Sequence, residues 1–178
     1  MRIAVSGAHR TGKSTLIAEL SRALPAYEVL DEPYHLLEEE GHKFAEMPGR
    51  EDFELQLERS LECIAGSGED CLFDRCPADL LAYLLTHRES DGFDLGRWLS
   101  RARNAMRRLD LIVFVPVENP DRVVSEPEED DWRLRVDEEL QEILLADRWD
   151  FGVDVIEVTG SPRERARQVL TLVTSRRR

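Results

Sequence analysis

Gly7-Ala8-His9-Arg10-Thr11-Gly12-Lys13-Ser14 fits the spacing G-x-x-x-x-G-K-[ST], and its flanks are what decide the fold. Arg2-Ile3-Ala4-Val5-Ser6 before it reads as a short buried strand, and Thr15-Leu16-Ile17-Ala18-Glu19-Leu20 after it reads as an amphipathic helix. Strand, glycine loop and helix N-terminus thus come in the order a phosphate cradle needs. Glycines let backbone N–H groups curl inward, and the helix dipole adds partial positive charge. Gly7, Gly12 and Thr15 belong to that cradle, Lys13 would reach the β- and γ-phosphates, and the Ser14 hydroxyl would ligate Mg²⁺. With glycine near 7% of average usage, a chance match in a chain of this length is on the order of one in a few hundred.

Working outward, strands and helices alternate. Tyr27 to Asp31, Cys71 to Asp74, Asp110 to Val117 and Val153 to Val158 read as further strands, the fourth in chain order being a continuous apolar run of the kind buried on both faces. Helical patterns cover Glu51 to Ala65, Pro77 to Thr86, Leu95 to Arg108, Asp131 to Asp147 and Pro162 to Val173. The alternation predicts an α/β protein in which helices wrap a parallel sheet, with ligands at the C-terminal rim of the strands. The 178 residues suit one domain, residues 1–178, and 42% hydrophobic content supplies its core. Glu118 to Asp131, rich in acids and proline, is a solvated connection or a mobile cover over the site, a lid around 118–135.

Bulk properties narrow the partners. A net charge of −13 opposes nonspecific attraction to nucleic acid or anionic lipid, so the expected partner is a small-molecule acceptor. No apolar run approaches a membrane span, and the chain enters a strand directly without a signal-peptide layout, which predicts a cytoplasmic protein. Cys63, Cys71 and Cys76 lack zinc-ligand spacing and read as reduced structural thiols. Arg176-Arg177-Arg178 reads as a frayed tail, and a homodimer is left open.

Two acidic strand ends carry the chemistry. Asp74 is placed to hold Mg²⁺ opposite Ser14, and Arg75 to set a guanidinium on phosphate oxygens or on a neighbouring carboxylate; the alternative for the pair is a helix cap and a surface arginine. In Asp31-Glu32-Pro33 the proline biases Glu32 toward an extended conformation, so its carboxylate can face the cleft as a base; Asp31 as base, or either as a cap, is the alternative. Tyr34, Phe44, Phe53, Tyr83, Phe93 and Trp98 supply core and, within it, a candidate stacking platform.

The phosphate loop, Asp-Glu-Pro after the second strand and Phe-Asp-Arg after the third resemble the deoxynucleoside kinase and thymidylate kinase branch of P-loop kinases. They are also similar to the ribosylnicotinamide kinase domains of bacteria. The resemblance implies a P-loop NTPase three-layer sandwich with strand order 2-3-1-4-5, ATP and Mg²⁺ as cofactors, and transfer of the γ-phosphate to a hydroxyl of a nucleoside or related riboside. It implies Glu32 as base, Asp74 and Arg75 on metal and phosphate, Gln56 as a reader of the acceptor, and lid arginines among Arg122, Arg133 and Arg135, the last two bound to the donor. Arg133 with Asp137 and Arg135 with Glu139 are equally spaced as helix-surface pairs. Arg163 and Arg167 are candidates against adenine. A nucleoside monophosphate kinase would need arginines converging on a second phosphate, with Arg50, Arg59 and Arg97 available, and a small P-loop ATPase or regulatory protein without an acceptor is the other alternative.

Overall fold

The computed structural model describes residues 1–45, 48–118 and 127–176. Its elements run β1 Arg2–Ser6, α1 Lys13–Ala23, β2 Glu28–Leu30, α2 Pro33–Glu39, α3 Arg50–Gly66, β3 Cys71–Asp74, α4 Pro77–Thr86, a 3-10 turn Ser90–Gly92, α5 Leu95–Met106, β4 Leu111–Phe114, α6 Pro127–Leu144, β5 Val155–Glu157 and α7 Pro162–Arg176. The five strands form one sheet in the order β2-β3-β1-β4-β5, every neighbouring pair parallel. The α/β class and the strand order are those expected. The strands are shorter than their apolar runs: β4 is Leu111–Phe114, although Asp110 and Val115 at its ends still donate to Arg2 O and Ser6 O of β1 at 2.9 and 2.8 Å.

Side chains alternate across the sheet with period 2, and that alternation builds two cores. Ile3, Val5, Leu72, Leu111 and Val113 face α1 and α7, while Ala4, Cys71, Phe73, Ile112 and Phe114 face α3 to α6. This double burial is why the strands read as unbroken apolar runs. Helix α4 is sandwiched further: every residue from Pro77 to Leu84 is buried, between α3 and α6. The C-terminal rim therefore carries β1 and its loop at the centre, with the ends of β3 and β4 beside it. The tail expectation is corrected at Arg176, which ends α7 and whose guanidinium donates to Asp110 O at 3.0 Å and Asp154 at 2.6 Å; Arg177 and Arg178 lie outside the described residues. No helix among the described residues is long and apolar enough to cross a membrane. The three cysteines are free thiols, Cys71 and Cys76 buried.

Candidate active site

The loop after β1 is held open by its glycines. Gly7 has φ +151°, and a Cβ there would meet Val115 O at 2.4 Å; Gly12 has φ +92° in the left-handed region, against Arg165 Nη1. Lys13 opens α1, is 5% exposed and donates from Nζ to Ala8 O across the loop at 2.8 Å. Burial, then Arg75, lowers its pKa to about 8 against the pull of Asp79, Glu32 and Asp74. Ser14 Oγ donates to Asp74 Oδ2 at 3.1 Å, and Asp74 Oδ1 is buried with no partner among the described residues. A serine hydroxyl beside a carboxylate with an unmatched buried oxygen suits a hard cation that takes few protein ligands and keeps its waters, as Mg²⁺ does. Burial, with Glu32, also raises the Asp74 pKa, a cost that a bound cation would remove.

Arg75 lies just past β3 at φ +76°, a backbone conformation that non-glycine residues rarely hold, and its N–H donates to Val5 O at 3.0 Å. Its guanidinium pairs through Nε with Glu32, donates from Nη1 to Gly7 O at 3.2 Å, and lies 3.6 Å from Asp79. Glu32 occupies the N-cap position of α2, yet its carboxylate makes no cap bond and turns to Arg75 instead. Burial opposes its charge, but Arg75 and Lys13 outweigh that and hold Glu32 below the usual carboxylate range. Asp31 is exposed and accepts the neighbouring Glu32 N–H at 2.9 Å. The cap of α4 belongs to Cys76 and Asp79, which leaves Asp74 for the loop.

Asp79 was not singled out from the sequence, yet it ties the site together. Fully buried, it accepts Gly7 N–H on one oxygen and Cys76 N–H on the other, each at 2.9 Å, so one carboxylate clamps the phosphate loop to the start of α4. Its only sequence signal was an acid in a first helical turn. Tyr83, one turn on, accepts His9 N–H at 2.8 Å and lies under Arg75, its ring stacked on Phe53 at 5.2 Å between centroids. Gln56 is 3% exposed with its side-chain nitrogen unmatched among the described residues, on the same helix as Phe53.

On the donor side a cleft of about 180 Å³ is lined by Arg10, Thr11, Gly12, Thr15, Arg133 and Arg165, among others. Arg133 is 2% exposed, with Nε on His9 O at 2.9 Å. Arg135 does not join it: two residues along a helix is about 200° of turn, and Arg135 is exposed beside Thr86, Glu138 and Glu142. Asp137 accepts Val117 N–H and the Gln141 amide with the Arg133 charge also acting on it, while Glu139 pairs with Arg148. Arg163 and Arg167 are exposed on the groove between α1 and α7; the arginine that enters the cleft is Arg165, on Thr11 O at 2.7 Å and Glu118 at 2.8 Å. Glu118 also accepts Gly160 N–H at 2.6 Å. Arg122 and residues 119–126 of the expected lid lie outside the described residues, and 127–135 form the start of α6. Arg50, Arg59 and Arg97 do not converge: Arg50 bonds Gly92 O and Glu54, Arg59 pairs with Glu40 and Glu62, and Arg97 covers Trp98.

A parallel sheet of this order, a glycine loop opening a helix, and a Ser–Asp pair beside it define a P-loop nucleotide-binding protein with the fold of P-loop small-molecule kinases. A family profile described as AAA domain matches residues 2–165, and the chain belongs to that family. Solved structures share the fold at low identity. The deoxyadenosine kinase from M. mycoides with bound dATP is 16% identical with a TM-score of 0.67, over 98% of this chain and 99% of that one. NadR protein in complex with NR is 17% identical with a TM-score of 0.70, over 97% of this chain and 48% of that one. Shikimate kinase from Aquifex aeolicus is 19% identical with a TM-score of 0.58, over 99% and 98%. No curated protein sequence matches the chain.

Proposed function

We propose that this protein is a Mg-ATP-dependent phosphotransferase that moves the γ-phosphate to a hydroxyl of a nucleoside or related riboside. The observation that carries this is the Glu32–Arg75 pair on the rim beside the phosphate loop, a base and a cation a step from the Ser14–Asp74 pair. Two of the structural neighbours, a deoxyadenosine kinase and NadR in complex with NR, support the acceptor class by their own names.

In this mechanism the donor phosphates lie on the loop N–H groups, and Lys13 exchanges Ala8 O for phosphate oxygens. Ser14 and Asp74 would hold Mg²⁺, which supplies positive charge to the phosphate oxygens. The acceptor hydroxyl sits against Glu32, which is ionised at neutral pH because Arg75 and Lys13 hold its pKa down. Its oxygen attacks the γ-phosphorus, the bond to the β–γ bridging oxygen breaks, ADP leaves, and the hydroxyl proton passes to Glu32. Arg75 and Arg133 offset the charge that spreads over the transferring group. Gln56, buried with an unmatched amide nitrogen, is placed to read a polar edge of the acceptor against the Phe53–Tyr83 stack.

A second reading, a P-loop ATPase with no small-molecule acceptor, is favoured by the AAA domain description. A monophosphate acceptor is disfavoured, because the three arginines it needs are bound elsewhere. A panel of nucleosides, ribosides and monophosphates with γ-labelled Mg-ATP separates these readings. Label transferred to a nucleoside or riboside above the water-only background supports the kinase. Release of labelled phosphate with no labelled acceptor supports the ATPase and removes the proposal.

A further inference from the structure

Arg133 reaches the phosphate loop from a helix, and a long guanidinium side chain is placed only as well as the helix that carries it. Its neighbour Trp132 is wedged into a ring cluster that belongs to other elements. Trp132 stands edge-on to Tyr83 at 5.4 Å and 79°, to Phe53 at 6.0 Å and 80°, and to His87 at 5.9 Å and 64° between centroids. Its indole N–H donates to Thr86 Oγ1 at 3.1 Å. Edge-to-face packing of this kind fixes both distance and rotation, since the positive ring edge seeks the negative face.

Consecutive helical residues project about 100° apart, so anchoring Trp132 against α4 sets the rotation of α6 about its axis. That rotation carries Arg133 Nε to His9 O at 2.9 Å. The same residue, His9, gives its N–H to Tyr83 Oη at 2.8 Å. The loop is therefore gripped at one residue, through the peptide groups on either side of it, by Tyr83 of α4 and by Arg133 of α6, and Trp132 is the piece that joins the two grips.

We propose that Trp132 is a positioning residue for the donor site, which acts on nucleotide by seating Arg133 on the phosphate loop through the Phe53–Tyr83 wall. This rests on the reading of the cleft as a Mg-ATP site. It also gives the two halves of the site a shared part: Phe53 and Tyr83 face the acceptor side, Arg133 the donor side, and a single indole spans them.

The test is a double-mutant cycle on the full chain, with Mg-ATP affinity read by isothermal titration calorimetry. Arg133→Gln weakens binding about 10-fold or more by removal of a charged contact, and Trp132→Leu about 5-fold. In the Arg133→Gln background Trp132→Leu adds less than about 2-fold, because the residue it positions is gone. Trp132→Phe, which keeps a ring edge on Tyr83 and Phe53, restores affinity to within about 2-fold of the wild type. If Trp132→Leu loses its cooperative unfolding transition, Phe53→Leu takes its place in the cycle with the same expected non-additivity. Effects that multiply, or a Trp132→Leu protein that binds Mg-ATP as the wild type does, overturn the inference. A wild-type protein that binds no Mg-ATP overturns the functional reading on which it rests.

Discussion

Replacing Asp79 by alanine is the sharpest perturbation of the site, because the carboxylate is fully buried and both of its oxygens are in use. The change strands two buried N–H groups, Gly7 and Cys76, at about 1–3 kcal/mol each. Arg75 loses a carboxylate 3.6 Å away but keeps Glu32 and Gly7 O, so no further full charge is orphaned. The sum is about 4 kcal/mol, and for a chain of this size each kcal/mol moves the melting temperature by about 2–4 °C, which predicts a fall of about 8–16 °C. Urea unfolding followed by circular dichroism reads the free energy, and a thermal melt reads the temperature. Asp79→Asn keeps one acceptor oxygen and turns an amide toward the other N–H, so it falls between alanine and wild type. A destabilisation below about 1 kcal/mol in the alanine variant, with an unchanged denaturant slope, refutes the claim that one carboxylate clamps the loop to α4.

Lys13→Ala abolishes nucleotide binding in a calorimetric titration, whereas Glu32→Gln leaves Mg-ATP affinity within about 2-fold and lowers transfer by about 10²–10⁴-fold. Because burial and Arg75 lower the Lys13 pKa to about 8, and bound phosphate raises it again, nucleotide binding takes up protons near pH 8 and weakens as pH rises from 7 to 9; titrations in buffers of different ionisation enthalpy read the uptake. His9 is lowered to about 4, by burial first and then by Arg75, Arg133, Lys13 and Arg10. Its imidazole signals in NMR stay fixed between pH 5.5 and 8, and its contribution to stability fades as pH falls from about 6.5 toward 4, where the unfolded chain takes a proton that the folded one refuses.

Local signals in the chain were enough for the α/β class and for the donor loop, while the strand order came from the family resemblance. Residues 7–14 bring their own backbone geometry, and the period-2 burial of Ile3, Val5, Ile112 and Phe114 follows from apolar runs that face two helical layers. Arg133 and Arg135 were both expected at the donor, although Val136 and Leu140 lie three and seven residues beyond Arg133, on its face and not on that of Arg135, a periodicity that separates the two. Asp79 and Arg165 were not legible. Asp79 meets Gly7 across 72 positions of chain and Arg165 meets Thr11 across 154, and neither spacing nor propensity records which side chain a fold turns toward a distant backbone. Glu32 shows the same limit from the other side. Its position is that of a cap, and only the proximity of Arg75, supplied by the next strand of the sheet, draws the carboxylate away.

That diversion bears on how the site can work in a protein of net charge −13. The cations at the loop are held in two ways. Arg75 is matched by carboxylates, Glu32 and Asp79, whereas Lys13 donates to the neutral carbonyl of Ala8. A phosphate oxygen carries charge and displaces a carbonyl from an ammonium readily, while it cannot so easily strip a guanidinium from a buried carboxylate. Donor binding is therefore expected to move Lys13 and to leave Arg75 with Glu32. In the proposed reaction an acceptor hydroxyl shares Glu32 with Arg75, which makes the carboxylate a weak base, ionised until it takes the hydroxyl proton. Phosphoryl transfer through a loose transition state asks little of base strength and much of position. An arginine that fixes the carboxylate at the cost of its basicity suits that chemistry: in the proposed reaction Glu32 contributes chiefly by holding the acceptor oxygen in line, and its proton affinity matters less.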